Sequence, residues 1–438
     1  MKNNLISRRA VLAGTAAGAF GLSSLPAHSQ VNWKKYAGTK LEAILAKGPR
    51  GDNFQKHIKE FTELTGIQVE SEQIPEQQQR QKAVIELASG KPSFDVIHLS
   101  YHVQKRQFEK AGWLADISGF MKDPNLTAPD LVESDFSAAG LQYAKNDKGQ
   151  MHSLPWSVDY FILYYNKEIF AKKNVAIPKT FDEMVAAADK LTGDGVYGFV
   201  GRGLRNANMT LWTNFFLNYG GEFLDAKGNI LTDGPEAIEA TKLYQRLLTK
   251  VAPPGVAGFN WMESMAAFTQ GRAAMWIDGV GWAPPVEDPN ASRIAGKVGY
   301  VMVPAGPKGG YSATYGDGIG IAQASKNKEA AYLLCQWVVS KAQGARLLQA
   351  GGGVPFRNSV LNDDSVRKGV KLPQEWLQSV IDAGKISKLG LPVIIPVAEF
   401  RDLVGAAITA TLSGADPATE LKKAHEQFRP ILERSEKA

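Results

Sequence analysis

Apolar positions recur at helical spacing over one stretch of the chain and alternate or run together over the next. Phe54, Ile58, Phe61 and Leu64 share one helical face that stops at Gly66, and Ile67 and Val69 start a strand directly afterwards. A helix over 81–89 leads through Gly90-Lys91-Pro92 into Phe94-Asp95-Val96-Ile97, a short buried strand, and 103–111 is helical again. The middle differs in texture. Leu154-Pro155-Trp156 opens a run over 158–165 that is apolar at nearly every position, as a strand covered on both faces requires. Helices follow over 181–191, 209–219 and 235–250, the last with Pro235 suited to its first turn. A strand over 299–303, one long helix or two over 328–350, and a largely helical stretch over 375–432 complete the pattern. The class is α/β. With two such textures and neither an internal repeat nor a low-complexity linker, the expectation is two lobes that exchange strands.

Composition narrows the chemistry. The chain has 438 residues, 44% hydrophobic and 21% charged, the balance of a globular protein large enough to fold without a disulfide or metal. The single cysteine, Cys335, excludes an internal disulfide, a cysteine zinc site and a protein-held iron–sulfur cluster. It lies in an apolar helical run and reads as a buried, inert thiol. The formal charge is +6, but Lys2, Arg8 and Arg9 supply three of those charges, leaving roughly +3 on the remainder. No basic block remains, which speaks against nucleic-acid binding.

Those first residues form an address. Ser7-Arg8-Arg9-Ala10-Val11-Leu12 precedes a mildly apolar Gly/Ala/Ser-rich stretch and Ala27-His28-Ser29, the order of a secretory signal over 1–29. The paired arginines fit a twin-arginine signal, and a general secretion signal remains the alternative. The mature chain is expected to begin near Gln30 in the periplasm, without a lipid-bearing cysteine and without a later apolar run of the ~18 residues that span a bilayer.

A group of local motifs then appears in order: Phe61-Thr62-Glu63-Leu64-Thr65-Gly66, Phe94-Asp95-Val96-Ile97, Gly112-Trp113-Leu114-Ala115-Asp116-Ile117, Leu163-Tyr164-Tyr165-Asn166-Lys167-Glu168, Pro178-Lys179-Thr180-Phe181, Asn218-Tyr219-Gly220-Gly221 and Phe268-Thr269-Gln270-Gly271-Arg272-Ala273-Ala274-Met275. In this order and spacing the chain resembles the extracellular solute-binding proteins of sugar ABC importers, the relatives of maltose-binding protein, over nearly its whole mature length. Around Arg202-Gly203, Asn208-Met209 and Met275-Trp276-Ile277-Asp278 it is similar to members that take polyols such as sorbitol and mannitol. The resemblance implies two α/β lobes joined by crossing strands, with the ligand in the cleft between them. One lobe would take 30–155 plus about 300–360, the other 156–299 plus about 361–438. It also implies a monomer whose partners are a carbohydrate or polyol and the membrane subunits of the importer.

By position the resemblance puts Ser100, Tyr101 and His102, just after the Asp95 strand, in the pocket, and Asp159 where the chain first crosses between lobes. Family members often carry an acid or Trp near Tyr101-His102, and this chain has neither. Tyr315 and Asp317, in Tyr315-Gly316-Asp317-Gly318, resemble the loop that returns the chain to the ligand. The residues themselves add further candidates. Hydroxyl-rich solutes need carboxylates or amides as acceptors, Arg or Asn as donors and flat aromatic faces. Asp159 interrupts an apolar run, so it is either paired or functional. Arg202 sits between glycines at a strand end, with Asn208 and Trp212 on the helix after it. Trp282 occupies a glycine-rich loop before Pro284-Pro285. Arg50, between Pro49 and Gly51 at the end of the first strand, Arg357 and Arg401 are further cleft candidates.

Enzyme signatures are lacking: no phosphate loop, no Gly-x-Ser-x-Gly elbow and no His-Glu-x-x-His. His98 and His102 are four apart but flank a strand end, so they make a poor metal pair. The expectation is therefore a binding protein with no catalytic residue, metal or cofactor. The alternatives are a periplasmic carbohydrate-active hydrolase using Asp159 in a carboxylate pair, or a binding protein for an anionic sugar derivative.

Overall fold

The computed structural model describes residues 31–437, so the expected signal over 1–29 lies outside the described residues. Among the described residues nine strands carry the architecture: β1 (Lys40–Ala46), β2 (Gln68–Ile74), β3 (Val96–Ser100), β4 (Ser153–Asn166), β5 (Met275–Gly279), β6 (Val298–Met302), β7 (Ser312–Ile321), β8 (Val354–Pro355) and β9 (Ser387–Leu389). They are hydrogen-bonded along the path β2-β1-β3-β7-β4-β5, with β6 and β8 on β4 and β9 on β7. β1 pairs in parallel with both β2 and β3, through α1 (Pro49–Thr65) and α2 (Glu76–Ala88). β7 then joins antiparallel to β3, with Ser100 opposite Asp317.

β4 holds the two halves together. It is fourteen residues long, far beyond the usual strand of five or six, and all but one of its residues are buried. Its first half, Ser153 to Tyr160, pairs with β7, and its second half, Phe161 to Asn166, pairs with β5 and β6. Buried apolar side chains accordingly fall into two clusters. One gathers Leu41, Phe54, Val96 and Ile319 around the parallel end, and the other gathers Phe161, Leu163, Trp212, Phe215 and Phe400. Asp159 stands one residue before the last β7 partner, at the changeover between the two strand sets.

Element by element, the sequence pattern is realised closely at 181–191 and 235–250, where helices span Phe181–Leu191 and Pro235–Lys250. The 328–350 segment is two helices, broken where the Ser340 hydroxyl caps the second one by accepting from the Gln343 N–H. Three expectations are corrected. Arg50 is in the first turn of α1, because Pro49 starts that helix, and not at a strand end. Tyr315 to Gly318 is the middle of β7 and not a loop, since β4 and β3 pair it from both sides. α2 begins at Glu76 rather than 81, because its glutamine-rich first turn has no apolar periodicity to betray it.

Close approach at β7 depends on missing side chains. A Cβ on Gly318 would lie 2.1 Å from Cζ of Tyr101, whose ring stacks on Tyr143 at 5.3 Å and whose hydroxyl meets Ser153 Oγ at 2.7 Å. Gly318→Ala is therefore expected to lower stability by about 1–3 kcal/mol through overpacking. Gly119→Ala, with open space around its Cβ, should stay within about 0.5 kcal/mol. Urea midpoints at unchanged slope check the pair.

Candidate functional site

The polar residues that β4 and β7 bring to the changeover form one charged crease. Arg50 reaches it from α1. Its Nη2 donates to Asp159 Oδ2 at 2.7 Å, its Nε lies 3.1 Å from Asp317 Oδ2, and it also bonds the Ser157 hydroxyl. Backbone completes the corner: Gly281 N–H donates to Asp159 Oδ1 at 3.3 Å, and Gly353 brings its Cα side against Ser157 and Arg50. One guanidinium thus serves two carboxylates, and their titrations are pushed apart. Burial disfavours charge on both. Arg50 and His98 nevertheless hold Asp317 well below the usual carboxylate range, whereas burial, with repulsion from Asp317, raises Asp159 despite Arg50.

Beside this corner α2 and α3 (Tyr101–Lys110) contribute a second group. Arg80 pairs with Glu76 one helical turn earlier and donates to Ser100 Oγ at 3.1 Å from Nε and 3.0 Å from Nη2. His102 Nδ1 faces the Gly316 carbonyl at 3.2 Å and its Nε2 faces Arg80 Nη2 at 3.4 Å. A carbonyl only accepts, so the network assigns the ring proton to Nδ1 and leaves Nε2 to accept from Arg80. Burial and then Arg80 lower the His102 pKa to about 3, so the ring is neutral at pH 7.

The opposite face comes from residues beyond the crossover. Arg202 donates from Nε to Asp278 Oδ2 at 2.8 Å and pairs with Oδ1 through Nη2, a two-pronged bond to a carboxylate that is fully buried. Its guanidinium lies over the Phe161 ring at 5.7 Å. Trp282 donates its indole N–H to Asp278 Oδ1 at 3.1 Å and stacks on Trp261 with ring centres 4.1 Å apart. Tyr315 sits between the faces, edge-on to His102 at 5.2 Å and 5.3 Å from Phe161. Arg401, on the helix Val397–Thr411, donates from Nη2 to the Asn206 carbonyl at 3.1 Å.

Of the residues expected from sequence, the structure gathers Arg50, His102, Asp159, Arg202, Trp282, Tyr315, Asp317 and Arg401 around this crease. Four are placed elsewhere. Trp212 is fully buried, stacks on Phe216 at 4.7 Å and donates to Thr241, so it is core and not a platform. Asn208 is also fully buried and ties its helix to Gly405 and Thr409. Tyr101 is spent under Gly318 and on Ser153. Arg357 is only 1% exposed and bonds Asp135 and the Asp130 carbonyl. Sequence reasoning missed Glu76, Arg80 and Trp261, and reached Asp278 only as part of the segment similar to polyol-binding members. The Glu76/Arg80 spacing of four was the available signal for the first two. Asp278 follows three apolar residues much as Asp159 interrupts its own run.

A groove between α3 and the helix Pro417–Lys437 is a separate feature. Its charges answer one another, with Arg106 2.8 Å from Asp147 and 3.3 Å from Glu436.

The depressed His102 pKa has a stability consequence. The unfolded ring titrates near 6.5 and the folded one near 3, so the unfolded state takes up the proton first. The His102 contribution is complete above pH 6.5 and is lost as pH falls toward 3. His102→Gln should flatten the stability profile across that window and leave the slope above pH 7 unchanged, as read from denaturant midpoints against pH.

The chain is similar to known proteins along most of its length. Residues 46–345 match the family model described as bacterial extracellular solute-binding protein. The chain is 30% identical over 345 residues to a probable amino-acid ABC transporter periplasmic-binding protein of Sinorhizobium fredii, covering 76% of each chain. It is 26% identical over 420 residues to an erythritol/L-threitol-binding protein of Mycolicibacterium smegmatis, covering 89% of this chain and 85% of that one. An ABC transporter solute-binding protein of Agrobacterium radiobacter, solved in complex with ribitol, superposes with a TM-score of 0.81 at 26% identity, over 90% of this chain and 99% of that one. The fold is the two-lobe arrangement of these neighbours, and the chain belongs to the bacterial extracellular solute-binding protein family.

Proposed function

We propose that the chain is a periplasmic substrate-binding protein that captures a sugar or sugar alcohol in the crease and hands it to the membrane subunits of an ABC importer. It performs no chemistry on the solute. The lobes of this reading are 30–155 with about 300–360, and 156–299 with about 361–438. The observation that carries it is the alternation of acceptors and donors across the crossover: Asp159, Asp317 and Arg50 at the strand changeover, Arg80 and His102 on one face, and Arg202, Asp278 and Trp282 on the other. Hydroxyls both donate and accept, so such a surface can exchange its internal hydrogen bonds for bonds to a polyol. A solute that touches both faces favours the closed arrangement, because only differential contact shifts a population. The erythritol/L-threitol-binding relative and the ribitol-bound neighbour lend support to the solute class. Asp159 and Asp317 are both drawn onto Arg50, a poor arrangement for two carboxylates that must flank a glycosidic bond.

Calorimetry of the signal-free protein against alditols, hexoses and disaccharides tests the reading. One compound is expected to bind with a micromolar Kd, about −8 kcal/mol. Asp159→Ala should weaken that binding tenfold or more, the loss of one charged hydrogen-bond partner. The absence of heat with every compound contradicts the solute class, and an unchanged Kd in the variant contradicts the role of Asp159.

A further inference from the structure

The charges around the crease do not cancel evenly. At the strand changeover one guanidinium, Arg50, answers two carboxylates. Away from the changeover, Arg80 from one face and Arg202 from the other both act on Arg401, with only Glu76 and Asp278 to balance the three, three cations against two anions. Arg80 is taken by Glu76 and Ser100, and Arg202 by both oxygens of Asp278. Arg401 is left over. It is 6% exposed, its one hydrogen bond among the described residues goes to the Asn206 carbonyl, and its Nε is buried with no partner. The neighbouring carboxylate, Asp402, is engaged by Asn206 Nδ2 at 2.7 Å.

A guanidinium has five N–H donors and cannot shed its charge at neutral pH, so burial without a counter-ion is costly. That cost is visible in its titration. Burial, and then the positive charge of Arg80, lower the Arg401 pKa to about 10, although Glu76 and Tyr315 act in the opposite sense. A fold that keeps such a group beside two further arginines has a use for the surplus charge.

We propose that the solute captured here carries an oxyanion, a carboxylate on a polyhydroxylated chain or ring, and that Arg401 receives it with Arg80 and Arg202 alongside. The inference rests on the solute-capture reading and narrows it from sugars and sugar alcohols to their acids. The surplus is one charge, which a carboxylate matches, while a phosphate dianion would overfill it beside Glu76. The planar fork of a guanidinium also matches a carboxylate edge to edge. Asp159 and Asp317 at the other end keep their role as acceptors for hydroxyls.

The test is calorimetry of the signal-free protein with matched compounds differing in one group: glucitol, gluconate and glucitol 6-phosphate, and galactose against galacturonate. A carboxylate is expected to bind at least tenfold more tightly than its neutral counterpart. Arg401→Gln should abolish that preference, weakening the carboxylate more than its neutral counterpart, with Arg401→Lys restoring part of it. If the Gln variant does not fold, the wild-type comparison decides by itself. Neutral compounds bound as tightly as the acids would overturn the narrowing and leave solute capture standing. A tenfold preference for the phosphate over the carboxylate would overturn the carboxylate assignment. Silence with every compound would overturn solute capture and the narrowing together.

Discussion

A charge in a half-dry crease must find an opposite charge or give up its ionisation, and that constraint organises the site. Removing one partner of a buried pair costs about 3–5 kcal/mol, because the survivor is stranded. Four carboxylates and four guanidiniums meet where the strands cross, and each carboxylate has its guanidinium: Asp159 and Asp317 on Arg50, Glu76 on Arg80, Asp278 on Arg202. The sharing at Arg50 leaves Arg401 without a carboxylate. Which guanidinium lacks a carboxylate is thus decided by how the others are paired.

Strand geometry supplies the pairing. β4 carries Asp159 past β7 just before it turns to β5 and β6, and β7 carries Asp317 opposite Ser157. Asp317 is held by backbone ladders on two sides and Asp159 by the β7 ladder, while the partner they share, Arg50, comes from the first turn of α1. Asp278 is at the end of β5 and Trp282 one short turn beyond it. Strands carry three of the four carboxylates, Asp159, Asp317 and Asp278, and Glu76 shares helix α2 with its partner Arg80.

The sequence showed the fold through period changes, and the run around β4 showed its double burial. Asp159 was legible because a charge in an apolar run has few innocent explanations. Arg202 and Trp282 were legible because glycines expose what lies between them. Arg357 and Trp212 misled for the converse reason. Neither glycine content nor helix position says which face of a strand or helix a side chain takes, and both turned into packed interior. Arg80 and Glu76 escaped notice because a glutamine-rich first turn lacks apolar rhythm. The pairing of Arg50 with two acids that are 158 residues apart along the chain is a property of the register and not of any local motif.

On the proposed capture of solute, Arg401 and Arg202 exchange partners while Arg357 does not. Nitrogen-15 spectra of the guanidinium Nε–H groups, recorded as the binding solute is titrated in, address this directly. Arg401 and Arg202 are expected to shift strongly and Arg357, locked on Asp135, to stay in place. Unmoved Arg401 and Arg202 signals at saturation would contradict the account.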